Sequence, residues 1–208
     1  MRILVTAGPT REFIDDVRYL SNASSGRMGC AIARSAKDAG HNVTLVCGPL
    51  ECEPPECDEI VRVVSAAEMR DAVRRHADGA DAVVMAAAVA DYAPAERRAG
   101  KMAKSDDDLV LRLTRTADTL AELGSRKGGR ILVGFALEAG NARENALRKL
   151  RGKNLDLIVL NGPAAMGADR ASAELIFASG AAEILSDRPK SEIADRIVRA
   201  VEELKKSP

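Results

Sequence analysis

The stretch Val17-Arg18-Tyr19-Leu20-Ser21-Asn22-Ala23-Ser24-Ser25-Gly26-Arg27-Met28-Gly29-Cys30-Ala31-Ile32 decides the reading of this chain. Before it, residues 3–5 form a short β-rich run that ends in Thr6-Ala7-Gly8-Pro9-Thr10, a strand closed by a Gly-Pro turn. Residues 11–20 are mixed and read as a loop with a turn of helix. Ser24 or Ser25 then caps a helix, with Met28, Ala31, Ile32 and Ala36 at helical spacing and Gly40 at its end. Residues 42–46 give a second strand. The order β-loop-α-β opens a doubly wound sheet. Within the quoted run, backbone N–H groups, hydroxyls and one carboxamide gather at a helix N-terminus, where an anion is favoured.

The rest of the chain continues the alternation. Residues 48–58 are rich in proline and acid and read as a loop, residues 60–64 as a strand. Ser65 and Glu68 form a capping box before an amphipathic helix to His76. Residues 81–88 are apolar throughout, as a central strand buried on both faces is. The polar residues 96–108 read as a mobile loop, and Leu109, Leu111 and Leu113 alternate as an exposed-face strand does. A helix over 117–123, a buried strand over 131–135, a helix over 141–150 and a strand over 155–160 follow. A late hairpin over 175–177 and 183–185 and a closing helix over 191–205 complete the pattern. The predicted fold is α/β: a Rossmann-like three-layer sandwich, one domain over 1–208, its mostly parallel sheet carrying a small antiparallel extension.

Composition narrows the function classes. Of 208 residues 46% are hydrophobic, a globular composition, and 31 basic residues balance 31 acidic ones. That balance gives no footprint for nucleic acid, and 2% aromatics disfavours stacking on single strands. No apolar run of membrane-spanning length occurs, and the short run at Met1-Arg2-Ile3-Leu4-Val5 is no signal peptide. Cys47, Cys52 and Cys57 have a spacing that matches no zinc motif, so free thiols in a reducing cytoplasm are expected.

A dinucleotide fingerprint is absent, since Gly8 stands alone at the first turn and Gly26 and Gly29 come later. A P-loop is absent too. The residues suit a triphosphate site built from separated pieces. Lys101 and Lys104 lie in the polar loop, Lys149 and Lys153 before the strand at 155, and such ammonium groups neutralise polyphosphate. Asp91, at a buried strand's end, can hold a nucleotide hydroxyl or Mg²⁺, and Phe135 can pack on a base. Taken singly, each has a plainer explanation: solvated lysines, a turn-capping aspartate, a core phenylalanine. His41 and His76 have no companion nucleophile or acid at useful spacing.

Several motifs then carry a resemblance over almost the whole chain. They are Thr6-Ala7-Gly8-Pro9-Thr10-Arg11-Glu12, Val17-Arg18-Tyr19, Ser21-Asn22 with Ser24-Ser25-Gly26-Arg27-Met28-Gly29, and Ala87-Ala88-Val89-Ala90-Asp91-Tyr92. Gly134-Phe135-Ala136 with Glu138, and Lys153-Asn154-Leu155-Asp156-Leu157-Ile158, complete the set. The sequence resembles the phosphopantothenoylcysteine synthetase family in its bacterial form, the ligase part of coenzyme A biosynthesis. The resemblance implies a CTP-dependent ligase that joins 4′-phosphopantothenate to cysteine through an acyl-cytidylate, with Mg²⁺ and no flavin on this chain. It implies catalytic roles for Asn22, Arg18 and Lys101. Nucleotide contacts are implied for Met85, Ala86, Ala87, Asp91, Lys101, Ala117, Asp118, Thr119, Leu120, Phe135, Lys149 and Lys153. Substrate contacts are implied for Asn22, Ser24, Ser25, Gly26 and Ala88, and Asp91 is the implied Mg²⁺ ligand. It also implies a cytoplasmic homodimer and a decarboxylase domain or chain as partner. Two positions depart from the family pattern: Ala103 stands for a lysine in Lys101-Met102-Ala103-Lys104, and Ala117 for a proline. The alternative is a non-catalytic Rossmann-like nucleotide- or NAD(P)-binding module, which tight NADPH binding without CTP binding distinguishes.

Overall fold

The computed structural model describes residues 1–104, 106–137, 140–162 and 168–206. Six parallel strands make the main part of an eight-stranded sheet. In chain order its members are β1 (Arg2–Ala7), β4 (Asn42–Cys47), β5 (Glu59–Arg62), β6 (Ala82–Met85), β9 (Ile131–Leu137), β10 (Leu157–Asn161), β11 (Arg170–Phe177) and β12 (Ala182–Pro189). They lie in the spatial order β12-β11-β10-β9-β6-β1-β4-β5. Pairing is parallel from β10 to β5 and antiparallel for β10–β11 and β11–β12. The sandwich, the mostly parallel sheet and the antiparallel extension at one edge are therefore as the sequence predicts.

Burial explains the central strands. Ile3 to Ala7 and all of β6 are buried, so both faces of these strands need cover. Helices α1 (Arg27–Asp38) and α5 (Lys190–Lys206) pack together on one face, α1 over β1 and β4 with Ile32 and Ala33 fully buried, α5 over β9, β11 and β12 with Ile193 and Ile197 fully buried. Helices α2 (Ala66–Ala77) and α4 (Ala142–Gly152) cover the other, through Met69, Val73, Ala146 and Leu150. Each such leucine, isoleucine or valine contributes about 1.5–3 kcal/mol by leaving water. The short α3 (Thr119–Ser125) sits beside β9 and is capped by Asp118, which accepts from Ala121 N–H at 3.0 Å.

From β1 the chain runs outward to β4 and β5, then returns through α2 to β6 on β1's other side. That reversal opens a crevice at the carboxyl ends of β1 and β6, where open α/β sheets take ligands.

Four local expectations change. Residues 11–20 hold no helical turn. They form an antiparallel hairpin of β2 (Arg11–Phe13) and β3 (Tyr19–Ser21), fastened by Phe13 edge-on to Tyr19 at 5.4 Å and by Arg11 over the Tyr19 ring. The strand over 109–113 shrinks to β8 (Leu113–Arg115), paired only with β7 (Tyr92–Pro94). Leu109 is half exposed, so the leucine alternation finds no face to bury. Neither Ser24 nor Ser25 caps α1. Gly26 occupies the cap position in the left-handed region, at φ 78°, with no side-chain cap. Finally, the segment 97–102 is tied down. Gly100 N–H donates to Asp16 at 2.7 Å, Met102 N–H to Asp15 at 3.1 Å, and Arg97 pairs with Asp16.

Candidate functional site: a cleft at the sheet's carboxyl edge

The cleft has a volume of about 900 Å³. One wall is the Asn22–Gly29 segment at the start of α1. The floor is the end of β6 and the run that follows it, Met85 to Tyr92. The far wall joins residues 115–120, Phe135 of β9, and Lys149 and Lys153 of α4 and its cap.

The floor leaves the sheet after Met85, and side chains replace the lost ladder. Ala87 N–H donates to Thr6 Oγ1 and Ala90 N–H to Thr10 Oγ1, both at 3.0 Å. Asn22 Nδ2 donates to the carbonyls of Ala88 at 3.0 Å and Val89 at 3.2 Å. The α1 wall comes very close to the floor's neighbour β1. A Cβ on Gly29 would lie 2.5 Å from Ala7 Cβ and 2.7 Å from the Thr6 carbonyl oxygen, so only glycine lets the helix start there.

Positive charge stands at two poles. At the α1 pole, Arg27 pairs with Asp169 at 2.6 Å, and Lys190 opens α5 beside it. Burial and the Arg27 guanidinium lower the Lys190 pKa, against the pull of Asp169. The N-terminus of α1 adds its own partial positive charge. At the second pole, Lys153 lies 2.8 Å from Asp118. Burial alone would raise the Asp118 pKa, but Lys153, the Ala121 N–H and Lys149 together hold it below the usual carboxylate range.

The cleft brings together most of the residues singled out in the sequence. Asn22, Ser24, Ser25, Gly26, Met85, Ala86, Ala87, Ala88 and Asp91 line it. So do Ala117, Asp118, Thr119, Leu120, Phe135, Lys149 and Lys153. Arg18 and Lys101 do not. Arg18 is held by Asp15, at 2.8 Å, and donates to the Met102 carbonyl at 2.6 Å. The buried Asp15 would have its pKa raised by desolvation. Donors from Val17, Arg18 and Met102, with the Arg18 charge, outweigh this and hold it far below the usual range. Glu138 lies outside the described residues. Sequence reasoning missed Arg27, Lys190 and Asn161, which also line the cleft. Arg27 stood within the quoted run, but nothing local ties Lys190 to a site 160 residues away.

His41 and His76 pair with Glu202 and Glu59 outside the cleft. All four cysteines are free, and burial with neighbouring thiols pushes the Cys30 thiol up to about 12. No helix among the described residues is long and apolar enough to cross a membrane.

Fold and cleft define a Rossmann-like domain with a crevice of cationic poles at its topological switch point. More particularly, the chain belongs to the family described as the DNA/pantothenate metabolism flavoprotein C-terminal domain, which matches residues 1–204. It is 41% identical over 209 residues to the coenzyme A biosynthesis bifunctional protein CoaBC of Bacillus subtilis, covering 98% of this chain and 52% of that one. It is 40% identical over 206 residues to a cysteine/cysteine sulfinic acid decarboxylase of an unknown prokaryotic organism, covering 96% and 57%. The chain thus spans about half the length of the relatives it matches. The crystal structure of the C-terminal domain of a CoaBC protein superposes with a TM-score of 0.85 at 39% identity, over 98% of this chain and 94% of that one. A Cab2 mutant in complex with phosphopantothenate-cysteine shares the fold, with a TM-score of 0.81 at 13% identity over 98% and 87%.

These findings correct the functional expectation. The names carry a flavoprotein and a decarboxylase, and none carries ligation, CTP or magnesium. The CTP-dependent ligase, the acid–amino-acid bond formation, and CTP with free cysteine as substrates are set aside on that ground. So are Mg²⁺ as cofactor and the exclusion of a flavin. Geometry adds one reason: Lys101, the expected first member of a triphosphate clamp, lies off the cleft. The Rossmann-like architecture stands, and coenzyme A biosynthesis is what the name of the Bacillus subtilis relative carries.

Proposed function

We propose that this chain is the metabolite-holding part of a flavin-linked enzyme of coenzyme A biosynthesis, and that its cleft binds a phosphorylated pantothenate–cysteine compound. The observation that carries the reading is the two-poled cleft, with a helix N-terminus, Arg27 and Lys190 at one end and Lys149 and Lys153 at the other. A ligand with a phosphate at one end and a carboxylate at the other matches that spacing of charge. Its phosphate lies against Ser24, Ser25 and Gly26, where backbone N–H groups and hydroxyls donate. Its uncharged middle crosses the alanine floor at Ala86, Ala87 and Ala88. Asn22, spent on two floor carbonyls, holds the floor and turns its carbonyl oxygen toward the ligand's amide.

The relatives' names supply the class of compound, and a phosphate-terminated flavin also suits the cleft by size and charge. The end of β6 and Phe135 would face its ring, and the α1 pole its phosphate. When bound, a flavin supplies an electron sink for loss of a carboxyl group. The chain is further proposed to work in the cytoplasm and as a homodimer, which sedimentation at micromolar concentration tests.

Calorimetric titration with 4′-phosphopantothenoylcysteine tests the reading. Saturable binding is expected, weakened about tenfold in Lys190→Gln, the loss of one charge-assisted contact. Absence of binding heat in the wild type would sink it. Titration with flavin mononucleotide separates the two halves of the enzyme. A shifted flavin band places the cofactor on this chain, and an unshifted one places it on the part of the longer relatives that this chain does not span.

A further inference from the structure

The sheet edge opposite the cleft carries a second cavity, of about 210 Å³. It lies where α2 and α3 end and where β9 begins. Arg74, Arg75, Arg126 and Arg130 line it, above a floor of Ala77 and Leu123. None of these residues lines the cleft.

The guanidiniums outnumber their carboxylates. Glu122 serves two of them, accepting from Arg126 at 2.7 Å and lying 3.4 Å from Arg74, and it also accepts from Arg70 at 2.8 Å. Asp78, 94% exposed, reaches Arg130 only at 3.4 Å. Asp71 stands one helical turn before Arg75 on the exposed face of α2. Arg130 itself is 11% exposed, and its Nε is buried with no hydrogen-bond partner. A buried guanidinium N–H without an acceptor is unfavourable unless something supplies one.

Basic residues at helix C-termini have a plain structural use, since they offset the negative end of the helix dipole. That use accounts for Arg74, Arg75 and Arg126. It leaves out Arg130, which precedes a strand, lines the cavity and keeps its Nε–H without an acceptor. The planar fork of arginine matches the oxygens of a phosphoryl group, and four forks around one small cavity give such a group its full set of donors.

We propose that this cavity is a binding site for a small phosphate-bearing anion, gripped by Arg130 together with Arg75 and Arg126. Its volume suits a phosphoryl or diphosphoryl group and is too small for a whole nucleotide. The site is independent of the cleft's ligand, although β9 runs from one to the other, from Ile131 next to Arg130 to Phe135.

The experiment uses inorganic pyrophosphate as probe, titrated into the chain with ¹⁵N-labelled arginine at constant ionic strength. The expected result is a saturable shift of the Arg130 Nε–H resonance. Binding weakens at least tenfold in Arg75→Gln and is unchanged by Lys153→Gln in the cleft. Arg75 is exposed, so its replacement leaves the core untouched. Arg130→Lys, which keeps the charge and removes the Nε donor, is expected to weaken binding as well. A shift that does not saturate, that chloride reproduces, or that Arg75→Gln leaves intact overturns the proposal.

Discussion

The two poles of the cleft are built in opposite ways. At the α1 pole, position comes from backbone: Gly26 at φ 78°, and Gly29 set against Ala7 with no room for a methyl. At the α3–α4 pole it comes from long side chains, with Lys153 swung onto Asp118, which is itself the cap of α3. The backbone of the first pole is fixed by steric exclusion, which neither salt nor pH alters. The second is set by charge in partial contact with water, which both alter.

Breaking the first pole has the largest effect. Gly29→Ala forces α1 away from β1, and a loss of about 3 kcal/mol is expected, the upper range for overpacking. Thermal unfolding followed by circular dichroism measures it, and an unshifted midpoint would show the helix–strand contact to be loose. Gly26→Ala comes next, at about 1–2 kcal/mol for an L-residue held at positive φ, read from a urea midpoint. At the second pole, Asp118→Ala removes the α3 cap and costs about 1 kcal/mol, with faster amide exchange at Ala121 as its local sign.

The pH response sharpens the contrast further. Asp118 has a lowered pKa in the folded chain, so its stabilising contribution is complete above the unfolded carboxylate value of about 4. It is lost as pH falls through the lowered folded value. Acid titration of stability is expected to flatten in Asp118→Asn over that range and to stay unchanged in Gly26→Ala. The smallest effect is Lys153→Gln, within about 0.5 kcal/mol on stability, as for other partly exposed ion pairs. A larger loss would mean that the second pole is more rigid than its exposure implies.

The parallel sheet was legible because its strands are apolar runs between turn residues, and such runs need cover on both faces. The position of the cleft followed, since strand ends are where such sheets bind. Asp91, Phe135 and Lys153 could therefore be placed together from sequence. The β2–β3 hairpin could not. Its strands are three residues each, and a ring contact between Phe13 and Tyr19 holds them, which no local periodicity announces. Arg18 and Lys101 were misplaced for a related reason. Asp15 lies in a segment that reads only as a mixed loop, and there it is buried and pulls Arg18 and Met102 to itself. The arginines of α2 read as an ordinary polar face, because the partner that completes their cavity, Arg130, lies more than fifty residues on. The ligase reading rested on resemblance alone, and chemistry is the part of a family likeness that fold and cleft geometry constrain least.

The hydroxyls of Thr6 and Thr10 have a consequence for recognition. Where β6 departs from the sheet, they satisfy the amides of Ala87 and Ala90 that the ladder abandons. The floor is thus held in one shape by groups of the chain itself. A ligand arriving there does not have to freeze a wandering strand end, so little of its attraction is consumed in ordering the protein. Replacing either threonine by valine would keep the shape of the side chain and leave an amide unsatisfied. The pocket would then have to be organised anew at each encounter, and the loss would appear in the entropy of binding before it appeared in the fold.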